Sequence, residues 1–153
     1  MRFEYKRYQR EHAGDIERPV IEIVLRNLRD PLGTPIAYEA LVDSGSDRNI
    51  FPAAIAELLG VDLTATKHVH YVGGVVAGER RPVYFHPIEI EVGGLGGPAF
   101  MTNAGFMPEF SKGGYGLLGR NGFFNEFTFV KFKEAENVLE IGRKRRSRRS
   151  DFF

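Results

Sequence analysis

Hydrophobic positions in this chain come in short runs, and the spacing within each run sets the element it predicts. "PVIEIVLRN" (19–27) and "TPIAYEALV" (34–42) are rich in Val and Ile and are separated by the turn-forming "LRDPLGT", so both predict strands. The period changes in "FPAAIAELLG" (51–60), where Ile55, Leu58 and Leu59 share one helical face. Pro52 suits a first turn and Gly60 a stop, which predicts a short helix. "KHVHYVGGVVAGERRPVYFHPIEIEV" (67–92) predicts two long strands folded about a glycine-rich tip at 73–78. "GGLGG" (93–97) is a turn and "AFMTNAGF" (99–106) a strand. "GRNGFFNEF" (119–127) predicts a short helical turn, "FTFVKF" (127–132) alternates into a strand, and "NVLEIG" (137–142) is the last strand. The sum is a mainly β domain with one or two short helices. Its body spans 19–142, with 1–18 as an N-terminal extension or first strand and 143–153 as a tail.

Composition narrows the class. With 153 residues, 42% of them hydrophobic, the chain suits one domain with its own core, and 18 glycines and 8 prolines suit many short elements. No apolar run is long enough for a membrane helix, and "MRFEYKRYQR" lacks the apolar core of a secretory signal, so a cytoplasmic location is the default expectation. Zero cysteines exclude disulfides, thiol catalysis and cysteine-ligated metal. The overall +1 charge conceals an asymmetry. Residues 143–153 hold six basic residues against one acid, which leaves the body at a net −4. Such a block reads as a solvated tail, with weak nucleic-acid or anion binding as the alternative.

Three stretches carry candidate chemistry. In "ALVDSGSDRNIFP" (40–52) an apolar run delivers Asp43 into Ser44-Gly45, with Asp47 behind it. A polar turn and a catalytic carboxylate loop both fit that stretch alone. "GYGLLG" (114–119) has the spacing of a dinucleotide loop, and Glu140 follows at the end of a strand. Alternating "FTFVKF" begins too soon for the crossover helix such a site needs, so nucleotide binding is set aside. His68 and His70 form an H-x-H pair on one strand face. Pairing around the tip sets His86 opposite residue 65, no third ligand follows, and all three read as solvent-facing strand histidines. No metal or cofactor is expected.

Taken together and in order, these stretches resemble the retropepsin-like aspartic proteases, the retroviral type and its bacterial and eukaryotic relatives. The resemblance runs over roughly residues 19–142. It rests on Leu41-Val42-Asp43-Ser44-Gly45, then a hairpin with tip Val72-Gly73-Gly74, then Leu117-Leu118-Gly119-Arg120. It implies a closed acid-protease β-barrel with a flap hairpin, and an aspartic endopeptidase acting on peptide or protein substrates. Such chemistry needs two carboxylates that share one proton, because two like charges about 3 Å apart cannot both ionise. This chain has a single Asp-Ser/Thr-Gly, so the resemblance implies an obligate homodimer that supplies Asp43 twice.

Individual roles follow from the same resemblance. Asp43, Ser44 and Gly45 are the catalytic loop, with the Ser44 hydroxyl bonding across the two-fold. The Ser46 hydroxyl is positioned to donate to an Asp43 oxygen. Asp47 and Arg120 pair to brace the interface, and Asp47 alternatively faces a substrate amide. Leu41, Leu117 and Tyr115 match groove-wall positions, with plain core packing as the competing reading. Val72, Gly73 and Gly74 form the lid, while Leu118, Gly119 and Arg120 support the site. Two other functions stay open: a catalytically silent partner-binding module on the same fold, and an unrelated all-β ligand-binding domain.

Overall fold

The computed structural model describes residues 1–65, 67–73, 78–108, 110 and 114–144. Twelve strands and one α-helix follow in chain order: β1 (Arg2–Glu4), β2 (Lys6–Tyr8), β3 (Ile16–Arg18), β4 (Val20–Asn27), β5 (Ile36–Val42), β6 (Ile50–Pro52), α1 (Ala53–Leu58), β7 (Val69–Gly73), β8 (Arg80–Val92), β9 (Ala99–Met107), β10 (Gly116–Leu118), β11 (Val130–Lys133) and β12 (Val138–Ile141). Gly74 of the expected hairpin tip and most of the basic tail lie outside the described residues.

The period-2 patterns decide the architecture. Ile21, Ile23 and Leu25 of β4 point one way, as do Ile88, Ile90 and Val92 of β8, and all are buried. Each strand needs partners that bury the same face, and the solution is a closed ring in the order β4-β5-β10-β6-β9-β8, with β8 returning to β4. The fold is thus mainly β with a closed six-stranded barrel. β8 is long enough to serve three neighbours. Its first residues, Arg80–Tyr84, pair with β7, residues 84–91 pair with β9, and Ile88–Val92 pair with β4. β7 hangs on this one partner outside the ring.

Phe51, Phe100, Phe106, Leu118 and Phe123 fill the interior together with these β4 and β8 residues, and Ile55 and Ala56 of α1, with Leu59 just after it, close one side. Fully burying such side chains contributes about 1.5–3 kcal/mol each. At the end of β4 and along β8, Asn27 and His86 occupy the same inward register and bond to each other at 3.1 Å, while Asn27 Nδ2 donates to the Leu59 carbonyl at 3.2 Å. This small polar layer caps the barrel. A second buried polar group, Glu91, accepts from Arg26 at 2.5 Å and from the Gly96 amide, which ties down the turn at 93–97. The Arg26 bond is the main reason its pKa lies below the usual carboxylate value.

Several elements differ from the sequence-based expectation. The predicted helix at 51–60 begins only at Ala53, because Ile50–Pro52 pairs in parallel with β9 and Pro52 is extended (φ −59°, ψ 143°). Gly60 does end it, in the left-handed region at φ +71°. The strand expected at 127–132 starts at Val130, since Phe123 and Phe127 stack at 5.2 Å within the core and carry the helical turn Phe124–Glu126 up to that point. Residues 2–4 pair antiparallel with β12, Phe3 opposite Leu139, so the N-terminus completes a separate three-stranded sheet, β1-β12-β11. Lys6–Tyr8 and Ile16–Arg18 form a small hairpin of their own. Among the described residues no helix is long and apolar enough to cross a membrane.

Candidate active site

β10 is the organising element of the site. It lies between β5 and β6, parallel to the first, with Leu117 opposite both Leu41 and Ile50. The segment 43–49 therefore loops over the end of an inserted strand, and Asp43 begins that loop. Its amide donates to the Leu118 carbonyl at 3.0 Å, which extends the β5–β10 pairing to the carboxylate itself. The Gly45 amide donates to Asp43 Oδ1 at 2.8 Å, and the Ser46 amide to the Asp43 carbonyl at 3.2 Å. One carboxylate oxygen is thereby fixed by the main chain. The side chain remains part-exposed in the single chain. A Cβ on Gly45 would stand 3.2 Å from Asp43 Oδ1, which leaves little room for any other residue.

The second half of the motif is packed harder still. Arg120 N–H donates to the Ser46 carbonyl at 2.8 Å and Asn121 N–H to the Asp47 carbonyl at 2.9 Å, so 119–121 zips against the back of the loop. A Cβ on Gly119 would fall 2.4 Å from the Arg48 carbonyl oxygen, and only glycine permits that approach. Gly116 is equally constrained, with Phe51 ring carbons at 2.4 and 2.6 Å.

Asn49 is the residue that motif reasoning missed. Its side chain is fully buried; Oδ1 accepts from the Gly119 amide at 2.9 Å and Nδ2 donates to the Gly122 carbonyl at 2.9 Å. Its own carbonyl accepts from the Gly105 amide at 2.8 Å. One side chain thus ties the Asp43 loop, the Gly119–Gly122 turn and β9 together. A signal was present: Asn49 shares the inward register of Phe51, where an apolar residue is the norm.

Other expected residues fall as follows. Ser44 and Asp47 are exposed, and Ser44 makes no side-chain bond among the described residues. The Ser46 hydroxyl donates to the Arg48 carbonyl at 2.7 Å rather than to Asp43, because the turn at 46–48 brings that carbonyl back over it. Asp47 and Arg120 are neighbours through their main chains, but no ion pair joins their exposed side chains among the described residues. Leu41 and Leu117 are half-buried side by side. Tyr115 is buried beneath the β2–β3 hairpin, its ring edge-on to Tyr8 at 5.8 Å and its hydroxyl accepting from Arg18. Val72 and Gly73 lie on β7 opposite Arg81 and Arg80.

The histidines need correction. The hairpin pairs Val69 with Tyr84 and His70 with Val83, a register that sets His86 opposite residue 67 rather than 65. His68 and His70 are exposed as expected, but His86 is buried, because its position alternates with Ile88 and Ile90 on the inward face. Burial, then the positive charge of Arg29, hold its pKa below the usual histidine value. No group of three or more potential ligands gathers among the described residues.

No protein-family model and no curated protein matches the chain. Among solved structures it is similar to a retropepsin-like aspartic protease from Rickettsia conorii, at 16% identity and a TM-score of 0.47, over 91% of this chain and 90% of that one.

Proposed function

We propose that this chain is one subunit of a homodimeric aspartic endopeptidase. The observation that carries the reading is the construction of the Asp43 loop. A carboxylate at the end of a barrel strand has its main chain locked to an inserted strand, one oxygen held by an amide, and the rest of its side chain open. A turn that needed only solubility would have no use for the Gly119 approach and the Asn49 clamp beneath it. Within one chain, no second acid among the described residues bonds to Asp43, so the partner carboxylate is Asp43 of a second copy.

Mechanism follows from that pairing. Two carboxylates brought together share one proton and titrate as a unit. The ionised member takes a proton from a water lying between them, and the protonated member donates to the scissile carbonyl oxygen. Water adds to the carbonyl carbon, giving a tetrahedral intermediate with no covalent link to the enzyme. Its collapse breaks the C–N bond as a carboxyl group returns a proton to the amine. Gly45 holds one oxygen of each carboxylate, Ser44 offers its hydroxyl across the two-fold, and Leu41 and Leu117 form an apolar wall that Tyr115 backs from under its hairpin. Val72 and Gly73 act as a lid that excludes water. Arg120 braces the interface by pairing with a carboxylate in the dimer.

Peptide hydrolysis by the wild-type chain and by Asp43→Asn tests the reading, with molecular mass measured by sedimentation on the same samples. A dimer whose rate falls about 10²–10⁴-fold in the variant is the expected result. Hydrolysis that survives in Asp43→Asn, or that comes from a strict monomer, overturns it. A second reading, a silent binding module on the same fold, draws on a basic cavity beside the loop, lined by Arg29, Arg48 and Lys67, which needs no Asp43 to hold an anion.

A further inference from the structure

Beside the Asp43 loop, between it and β7, lies a cavity of about 840 Å³. Its charged lining comes from separate parts of the chain: Arg29 after β4, Asp47 and Arg48 on the loop itself, and Lys67, His68 and His70 leading into β7. Three fixed cations thus face a single carboxylate, with two exposed histidines on the same wall. No ion pair among the described residues engages Arg29, Arg48 or Lys67. Some cations elsewhere are paired, Arg26 with Glu89 and Glu91, Arg7 with Asp15 and Glu17, and Lys133 with Glu136 and Glu140, and others among the described residues are not. What sets Arg29, Arg48 and Lys67 apart is that three unpaired cations line one concavity. The body of the chain is net acidic, so a concave cluster of unneutralised positive charge is a local arrangement rather than a reflection of composition. Val72 and Phe85 add apolar surface, and the Phe85 ring meets His70 edge-on at 5.1 Å.

Bringing like charges around a cavity costs free energy unless a counter-charge enters it. Arginine offers a planar fork suited to a carboxylate, and lysine a mobile point charge beside it. The volume lies within the range of about 300–1,000 Å³ typical of small-molecule sites, which is room for an acidic side chain and the peptide segment that carries it. Asp47, expected at the substrate, forms one edge, so the cavity continues directly from the loop.

We propose that this cavity is a specificity subsite that takes an acidic side chain, glutamate or aspartate, from an extended peptide. Arg48 and Lys67 are the residues that read its charge, with Arg29 behind them. The inference rests on the endopeptidase reading only in treating the occupant as part of a substrate.

The test uses two fluorescein-labelled peptide pools, identical except that glutamate in one is glutamine in the other. Binding is followed by anisotropy on the Asp43→Asn chain, and cleavage on the wild type. The glutamate pool is expected to bind about three- to tenfold more tightly, a margin that shrinks with added salt. Adding Arg48→Gln and Lys67→Gln should reduce the margin to within about twofold, and adding Arg48→Lys and Lys67→Arg instead should keep it. Equal binding of the two pools, or a margin unchanged in the glutamine variant, overturns the subsite. Cleavage that ignores the glutamate also overturns it while leaving the endopeptidase standing. Glutamate-selective binding without any cleavage does the reverse.

Discussion

A Cβ added at Gly119 would meet the Arg48 main chain at 2.4 Å, whereas at Gly73 in the β7–β8 hairpin the nearest atom would be 4.0 Å away. That contrast runs through both regions. Around Asp43, three chain segments are joined by main-chain bonds and one buried amide side chain, and glycine is required by contact rather than by turn geometry. Among the described residues β7 pairs along one edge only, and four of its five residues are exposed. One region holds a carboxylate in a fixed place; the other lines an open, charged cavity and has little packing to lose. A hydrolase needs both properties, rigidity where the reacting groups meet and access where substrate enters.

The largest effect is expected from breaking the rigid side at its one side-chain clamp. Asn49→Ala leaves the buried Gly119 amide and the Gly122 carbonyl without partners. Each unsatisfied group costs about 1–3 kcal/mol, so urea unfolding should show a loss of about 2–6 kcal/mol. Asn49→Asp keeps the acceptor for Gly119 but sets a carboxylate oxygen against the Gly122 carbonyl in a fully buried position, and should cost at least as much as the alanine variant. A loss below about 1 kcal/mol in the alanine variant would mean that main-chain bonds alone hold the loop.

A smaller effect tests the boundary between the two regions, where His86 belongs to the barrel cap yet also lines the basic cavity. Its folded pKa is depressed, so the unfolded chain binds a proton before the folded chain does. The stability it contributes is complete above the unfolded value of about 6.5 and declines as pH falls toward the folded one. One proton limits the slope to about 1.4 kcal/mol per pH unit. His86→Gln, which keeps an amide donor for Asn27, should flatten the stability profile below the unfolded value of about pH 6.5. An unchanged slope would assign the acid sensitivity to other groups.

Much of this division was legible in advance, and the exceptions share a cause. β4, β5, β8 and β9 alternate over enough residues for local pattern to declare them, and Ala53–Leu58 has its stop signal in Gly60. The Asp43 loop is readable because its glycine and its apolar lead-in are adjacent in sequence. β6 and β10 are only three residues each, and they become strands solely because distant chain lies beside them. The Ser46 hydroxyl bonds a carbonyl that a local turn brings within reach, a choice that spacing does not reveal. Asn27, Asn49 and His86 were visible in principle. Each is a polar residue at an inward position of a period-2 run, and such a position demands a buried partner. The hairpin register shifted because its pairing is set by β8 against β9 and β4, not by symmetry about its tip.

The smallest effect is expected on the open side, and it sharpens the contrast because the side chain removed is a large one. Tyr71 sits in the middle of β7, 65% exposed, and lines the cavity with its ring. Tyr71→Ala removes a mostly exposed aromatic ring, so stability should change by no more than about 0.5 kcal/mol. Phe51→Ala, a truncation of similar size at a fully buried position, should cost about 3–5 kcal/mol. Thermal unfolding of the two variants side by side measures the difference. If β7 is a lid over bound peptide, Tyr71→Ala should raise KM while leaving the unfolding midpoint in place. A fall in stability approaching that of Phe51→Ala would show that the hairpin is packed as firmly as the barrel, and the division between a fixed floor and a yielding cover would not hold.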